Sequence, residues 1–184
     1  VDYYLKNIWP KKGLNRKPVF AWVTWDNAAG RGSITDKVKD YIRSKGVDIM
    51  PGDGEFFPAA PTEVSAQMLR LKEHNVDFTY GMLIFPTAVA ILKGLDRMDM
   101  TDQIAIGVAT PNPPTLIKQV GNLARNVYFS DYPLTKDLWA SMAPNVLKMY
   151  EQYERQKIPE FMYGVGVGWA LVATEAVRIA ARQV

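Results

Sequence analysis

Residues Lys17–Ser33, KPVFAWVTWDNAAGRGS, decide the fold of this 184-residue chain. The first half is an apolar run without polar alternation, which is typical of a strand buried on both faces of a parallel sheet. The second half is the polar turn Trp25–Asn27, followed by small residues that open a helix. Open α/β sheets place their ligands at the carboxyl ends of their strands. The segment therefore predicts a buried strand, Val19–Thr24, whose following loop contacts a small ligand.

The composition is that of an ordinary globular protein, with 48% hydrophobic and 22% charged residues. Lysine and arginine number 22 and aspartate and glutamate 19, which gives a net charge of +3. The basic residues are scattered except for a group near the amino terminus, which we interpret as a solvated face and not as a nucleic-acid contact. Without cysteine and with His74 as the only histidine, neither a thiolate nor a multi-histidine metal site is expected, and no cofactor is predicted.

Strand-like and helix-like stretches alternate along the first two thirds of the chain. After the first strand, short apolar runs predict strands at Val47–Met50, Val76–Ile84, Ile104–Ala109 and Val127–Phe129. The stretches between them have the apolar spacing of amphipathic helices. Pro51–Gly54 is predicted to be a turn, with Asp53 and Glu55 exposed to solvent. Repeated strand-helix-strand units predict an α/β fold, in which a parallel sheet is flanked by helices on both faces.

The pattern changes after Tyr132. Two long helical stretches follow, around Leu138–Arg155 and Tyr163–Arg182, with no strand between them. Pro144 indicates that the first of these helices is kinked or begins there. Charged residues interrupt the second, which argues against a membrane span. Both helices have apolar faces without a sheet to cover, and we therefore expect self-association through them.

Enzyme signatures are absent from the sequence, which lacks a nucleophile elbow and a phosphate-binding loop. Gly164–Trp169 resembles a dinucleotide fingerprint only superficially, because tryptophan takes the place of the third glycine. Asp26 could face a ligand or cap a helix, but it has no nucleophile–base pair to work with, which disfavours a hydrolase or transferase. Arg31 could help an anion at the helix N-terminus, or Ser33 could simply be an N-cap. The chain is therefore predicted not to be an enzyme.

Five stretches together resemble the second lobe of type I periplasmic solute-binding proteins, in the branched-chain amino-acid receptor group that serves ABC transporters. They are FAWVTWDNAAGRG (20–32), KGVDI (45–49), PTEVSAQMLRLKEHNVDFTYG (61–81), IAIGVAT (104–110) and NVYFSDYP (126–133). The resemblance covers nearly the whole chain. It implies two α/β lobes, joined by three chain crossings, that close on a small solute.

The resemblance also implies a domain division and a role. Residues 1–133 correspond to the α/β ligand-binding second lobe, and residues 134–184 to a helical part of the first lobe, whose strands would precede residue 1. One lobe offers half a site, so this chain alone is expected to bind weakly. The implied role is solute capture for the membrane subunits of an ABC transporter. The implied location, after removal of a signal peptide, is periplasmic or extracellular, with a lipid anchor in a Gram-positive organism. The alternative is a ligand-sensing domain of a receptor or regulator.

The same resemblance places the ligand-binding residues, which are Trp25, Asp26, Asn27, Ala29, Phe85, Thr110 and Asn112. Ala29 stands where the family has a loop tyrosine, and the family's ammonium-binding glutamate falls near Ala109 or Thr110. Burying an ammonium group without a charged partner is costly. An aromatic, amide or carboxylate solute is therefore favoured over a standard amino-acid zwitterion. Trp25 is as compatible with a core position as with the site, and Trp22 is interpreted as core.

Overall fold

Strand β1, Val19–Trp25, lies inside a five-stranded sheet in which every neighbouring pair is parallel. The computed structural model describes residues 1–109, 113–130, 140, 144–153 and 160–181. The remaining strands are β2 (Asp48–Phe57), β3 (Phe78–Met82), β4 (Ala105–Ala109) and β5 (Val127–Phe129). The order across the sheet is β2-β1-β3-β4-β5. The predicted α/β fold with a parallel sheet is confirmed.

Helices connect the strands and continue after them. They are α1 (Asp2–Asn7), α2 (Ala28–Arg31), α3 (Asp36–Ser44), α4 (Ser65–Glu73), α5 (Phe85–Arg97), α6 (Pro113–Val120), α7 (Pro144–Tyr153) and α8 (Glu160–Ala181). The described residues also include two short 3-10 segments, Trp9–Lys12 and Gly121–Asn126. The chain divides into two units, Val1–Asp131 and Tyr132–Val184, and the sheet belongs to the first.

Both faces of the sheet are buried, because successive side chains of β1 enter two different cores. Phe20 and Trp22 pack with Tyr4 of α1 and Ile42 of α3 on one side, which we call the Trp22 face. Val23, with Ala21, packs on the other side, the Val23 face, against a larger cluster that includes residues of α4, α5 and α6. This two-sided burial explains why the apolar run of β1 shows no alternation. Trp22 is 1% exposed, so its interpretation as a core residue is confirmed.

Strand β2 is longer than predicted, because Pro51–Gly54 is an irregularity within the strand and not a turn that ends it. Pairing with β1 shifts between Phe20, opposite Ile49, and Trp22, opposite Gly54. The backbone has φ of 77°, 69° and 148° at residues 52, 53 and 54, values that favour glycine. A Cβ at Gly54 would lie 2.0 Å from the Trp22 carbonyl oxygen, so only glycine lets the strands pair again after the bulge.

The prediction that Glu55 is solvated is wrong, because the longer strand carries it back into the sheet. Glu55 is 5% exposed. Its two carboxylate oxygens accept hydrogen bonds from Arg70 Nε at 2.7 Å and Nη2 at 2.6 Å. Asp53, in the bulge, accepts from Lys39 Nζ of α3 at 2.6 Å. A buried carboxylate such as that of Glu55 needs a charged partner, and its pair with Arg70 joins β2 to α4.

The second unit contains α7 and α8, which contact each other. Helix α7 is described from Pro144 onwards, and since residues 141–143 lie outside the described part, a start or a kink at that proline stays a prediction. Several large apolar side chains of this unit are exposed, namely Met149, Val172, Val177 and Ile179. Within the described ranges, no helix combines the length and the apolar run that crossing a bilayer requires.

Candidate functional site

The candidate site is the edge of the sheet where β1, β2 and β3 end, which we call the carboxyl edge. Because the strands are parallel, Trp25 of β1 ends opposite Phe57 of β2. The next backbone group continues this pairing, since Asp26 N donates to Phe57 O at 2.7 Å. Loops leave this edge after each of the three strands. Polar groups in different loops are thereby brought to the same edge, which is where open α/β sheets place their ligands.

Thr24 joins two of these loops beneath the surface. Its side chain is fully buried, and its Oγ1 lies 3.2 Å from Gly30 O in α2. The same oxygen accepts from Met82 N at 3.2 Å and also lies 3.2 Å from Met82 O, at the end of β3. The sequence interpretation missed this role. The available signal was a hydroxyl near the end of an otherwise apolar buried strand, because such a group requires a hydrogen-bond partner.

Asn27 and Gly30 give the first loop its shape. Asn27 Oδ1 accepts from Gly30 N at 2.7 Å and so caps the single turn of α2. A Cβ at Gly30 would lie 1.9 Å from the Trp25 carbonyl oxygen, so glycine is required for the loop to fold back on the strand. Thr35, not Ser33, caps α3, accepting from Val38 N at 3.3 Å.

Asp26 and Arg31 form an ion pair on the outside of the loop. Arg31 Nε donates to Asp26 Oδ1 at 2.7 Å, with both side chains about half exposed. The guanidinium also lies over the ring of Phe56, 3.7 Å from its centre, in a cation–π contact. The pair therefore presents a neutral, polar rim. No group of three or more histidine, aspartate or glutamate side chains that could hold a metal ion occurs in the described part of the chain.

The remaining predicted residues are distributed unevenly. Trp25, the last residue of β1, is partly buried, and Ala29, in the short helix α2, is exposed. Phe85 is the first residue of α5, just after β3, and packs partly against the cluster of the Val23 face. The sequence interpretation missed Met82, which ends β3 and is 43% exposed. Thr110 and Asn112 lie outside the described residues, and their roles stay predictions.

A second threonine holds the loop that follows β2. Thr87, fully buried in the first turn of α5, donates to Ala59 O at 2.8 Å and lies 3.2 Å from Pro58 O. The loop after β2 is thereby tied to the helix that follows β3. Sequence reasoning missed this contact as well, because Thr87 is 28 positions from Ala59 and 29 positions from Pro58 along the chain.

Glu63, in the loop between β2 and α4, makes the stability of the fold depend on pH. Hydrogen bonds to Ser65, and then to the Val64 amide, lower the pKa of Glu63 from 4.5 to about 2. Because the pKa is lower in the folded state, this carboxylate contributes stability that is fully present above pH 4.5 and lost as the pH falls towards about 2.

We therefore expect the native chain to have a higher urea midpoint than Glu63→Gln, with the largest gap above the unfolded pKa of 4.5. Urea unfolding followed by circular dichroism between pH about 6 and about 2.5 measures this gap. It should narrow steadily on acidification, because the charge that distinguishes the two chains is then lost. A gap that stays constant over this range would contradict the assignment.

Comparison with known proteins places this fold in a family. A family model described as periplasmic binding protein matches residues 11–183. Among solved structures, the chain is similar to a fatty acid ABC transporter substrate-binding protein from Thermomonospora curvata, with a TM-score of 0.63 and 15% identity over 88% of this chain and 41% of that one. It is also similar to a periplasmic binding protein type 1 from Bordetella pertussis Tohama I, with a TM-score of 0.49 and 14% identity over 79% and 37% of the two chains.

Among curated proteins, none matches the chain. The chain spans about two fifths of the length of the Thermomonospora protein, since 41% of the latter is covered. The family model, by contrast, covers all but the first ten residues and the last one. The α/β fold with its parallel sheet agrees with that match, and the chain belongs to the periplasmic binding protein family.

Proposed function

We propose that this chain is part of the solute-binding component of an ABC transporter, and that its carboxyl edge forms one wall of the solute site. The observation that carries the proposal is the convergence of three loops at this edge. Trp25, Met82 and Phe85 offer apolar surface there. The buried hydroxyls of Thr24 and Thr87 hold the loops in place. Apolar walls with a few fixed polar groups are typical of small-molecule sites.

The solute we propose is an aromatic compound, an amide or a carboxylate. The carboxylates at the carboxyl edge already have partners, since Asp26 is paired with Arg31 and Glu63 accepts from the first amides of α4. An ammonium group would have to displace one of these contacts before it found a negative partner, which costs free energy. This supports a neutral or anionic solute in place of a standard amino-acid zwitterion.

The proposed role extends to the organisation of the protein and its partners. We assign residues 1–133 to the second lobe and residues 134–184 to a helical part of the first lobe. The division of the chain near Asp131 supports this assignment. The partners are the membrane subunits of the transporter, and the location is periplasmic or extracellular. Self-association through α7 and α8 is part of the same proposal, supported by the exposed apolar side chains of those helices.

A ligand panel tests the proposal on this chain. Benzoate and benzamide represent the proposed classes, leucine represents the zwitterion, and octanoate is added because a fatty acid receptor shares the fold. We expect benzoate, benzamide or octanoate, but not leucine, to shift the indole NMR signal of Trp25, with a Kd on the order of 1 mM, because one wall buries only part of a ligand.

Trp25→Ala is the matching variant for this experiment. Loss of its ring is expected to weaken binding of the best ligand about tenfold, the effect of removing one aromatic anchor. Trp9→Ala removes a tryptophan that packs on the Trp22 face and serves as the control, with unchanged affinity expected. Equal binding of leucine would overturn the proposed solute class. An unchanged affinity in Trp25→Ala would overturn the proposed wall.

A further inference from the structure

We propose that Tyr80 is a positioning residue that fixes the end of β5, at the point where the chain leaves the first unit. The inference rests on the proposed function in one respect: a binding protein built from two lobes depends on how the chain passes from one to the other. The tyrosine lies outside the carboxyl edge, and the predicted solute site does not use it.

The contact that carries the inference spans three strands. Tyr80 is the central residue of β3, and its hydroxyl lies 2.8 Å from Ser130 Oγ, directly after β5. Strand β4 lies between the two. A backbone hydrogen bond acts beside it, because Ser130 N donates to Val108 O of β4 at 3.0 Å. Ser130, one residue before the first unit ends at Asp131, is therefore held by one side-chain and one backbone hydrogen bond.

Gly107 provides the space for this contact. It pairs with Tyr80 on one side and with Tyr128 on the other, so it lies directly between β3 and β5. A Cβ at Gly107 would lie 3.0 Å from Cδ2 of the Tyr80 ring and 2.9 Å from the Thr79 carbonyl oxygen. The absence of a side chain on β4 therefore leaves room for the tyrosine ring to extend across it towards Ser130.

The surroundings leave the Tyr80–Ser130 bond open to exchange with water. Tyr80 is 37% exposed, and with Ser130 it lines a cavity of about 730 Å³ on the Trp22 face. A hydrogen bond at such a position contributes modestly to stability, so it can break without unfolding the sheet. The bond can therefore open locally while the strands stay paired.

Local amide exchange measures the bond directly. In Tyr80→Phe and in Ser130→Ala we expect the Ser130 amide to exchange about threefold to tenfold faster than in the native chain, with amides of β1 unchanged. The double variant should show no further increase, because both changes remove the same bond. Ser130→Thr keeps a hydroxyl, so the amide of residue 130 should exchange as slowly in this variant as in the native chain. Additive effects in the double variant, or unchanged exchange in the single ones, would overturn the inference.

Backbone relaxation separates positioning from a merely structural role. Without any ligand, the NMR order parameter of the Ser130 amide should fall in Tyr80→Phe, while the order parameters of β1 amides stay unchanged. Tyr41→Phe is the control, since it removes a tyrosine hydroxyl that bonds to Asp2 and not to Ser130. An unchanged order parameter at Ser130 would overturn the inference, whereas failure to find a ligand would affect only the proposed function.

Discussion

Gly30→Ala is expected to lower the free energy of unfolding by about 3 kcal/mol, the upper part of the usual range for overpacking. The new methyl group would lie 1.9 Å from the Trp25 carbonyl oxygen and 2.8 Å from Thr24 Oγ1. Neither neighbour can move freely. The Trp25 carbonyl accepts from Asn27 N at 3.0 Å, and Thr24 is fully buried. Urea unfolding followed by far-UV circular dichroism measures the loss.

Gly32→Ala is the matched control for this variant. Its Cβ would meet the Ala28 carbonyl oxygen at 3.2 Å, a contact that a small local shift relieves, so its effect should stay below about 1 kcal/mol. Both variants replace a glycine with alanine in the same short segment, so a difference in their stability reflects the surroundings of each glycine and not the type of substitution. Equal stability of the two variants would show that the loop repacks around Gly30. If the loop does not repack, Gly30→Ala should also lose the ligand response of Trp25.

The succession of strands and helices along the chain was predictable from the sequence, because it follows from the pattern of buried apolar residues. The apolar run of β1 lacks alternation since both of its faces are covered, and β5 begins and ends at the predicted residues, Val127 and Phe129. The segments between strands carry apolar residues at helical spacing, and each forms a helix. Such patterns depend on which side of an element is buried, and this information is present locally in the chain.

The extent of β2 was not predictable in this way. Pro51–Gly54 has the composition of a turn, and local turn chemistry favours ending the strand there. Pairing with β1 overrides this preference, because the backbone of Gly54 can approach Trp22 closely enough to resume the ladder. Glu55 then becomes buried, and its partner Arg70 is 15 positions away. Tertiary pairing of this kind leaves no periodic trace in a short window of sequence.

The candidate site was predicted in outline only. The segment from Trp25 to Ala29, which links the end of β1 to α2, lies at the carboxyl edge as expected, because parallel strands direct their carboxyl ends to one side. The contacts that shape the edge were missed. Thr24 meets Met82 across 58 positions, and Asn27 Oδ1 caps the turn of α2. A sequence indicates which groups can form hydrogen bonds, but only the fold selects the partner.

Thr24→Val is expected to destabilise the first unit by about 2 kcal/mol and to abolish the ligand response of the carboxyl edge. Valine has nearly the same shape as threonine, so no cavity forms and the effect isolates the hydroxyl. Removing Oγ1 deprives Met82 N of an acceptor 3.2 Å away and leaves Gly30 O without its contact at the same distance. An unpaired buried polar group costs about 1–3 kcal/mol. Urea unfolding and the NMR titration with benzoate measure the two effects.

Thr24→Ser keeps the hydroxyl and removes only the methyl group, which makes it the conservative partner of Thr24→Val. We expect it to bind benzoate like the native chain, with a loss of stability of about 1 kcal/mol for the missing methyl. If both variants lose binding alike, the packing of the methyl group and not the hydrogen bonds would position the loop. If Thr24→Val binds normally, the first loop and the end of β3 are held by their backbones alone. We expect the native chain and Thr24→Ser to bind more tightly than Thr24→Val, because one buried oxygen contacts both the turn that follows Trp25 and the end of β3 at Met82.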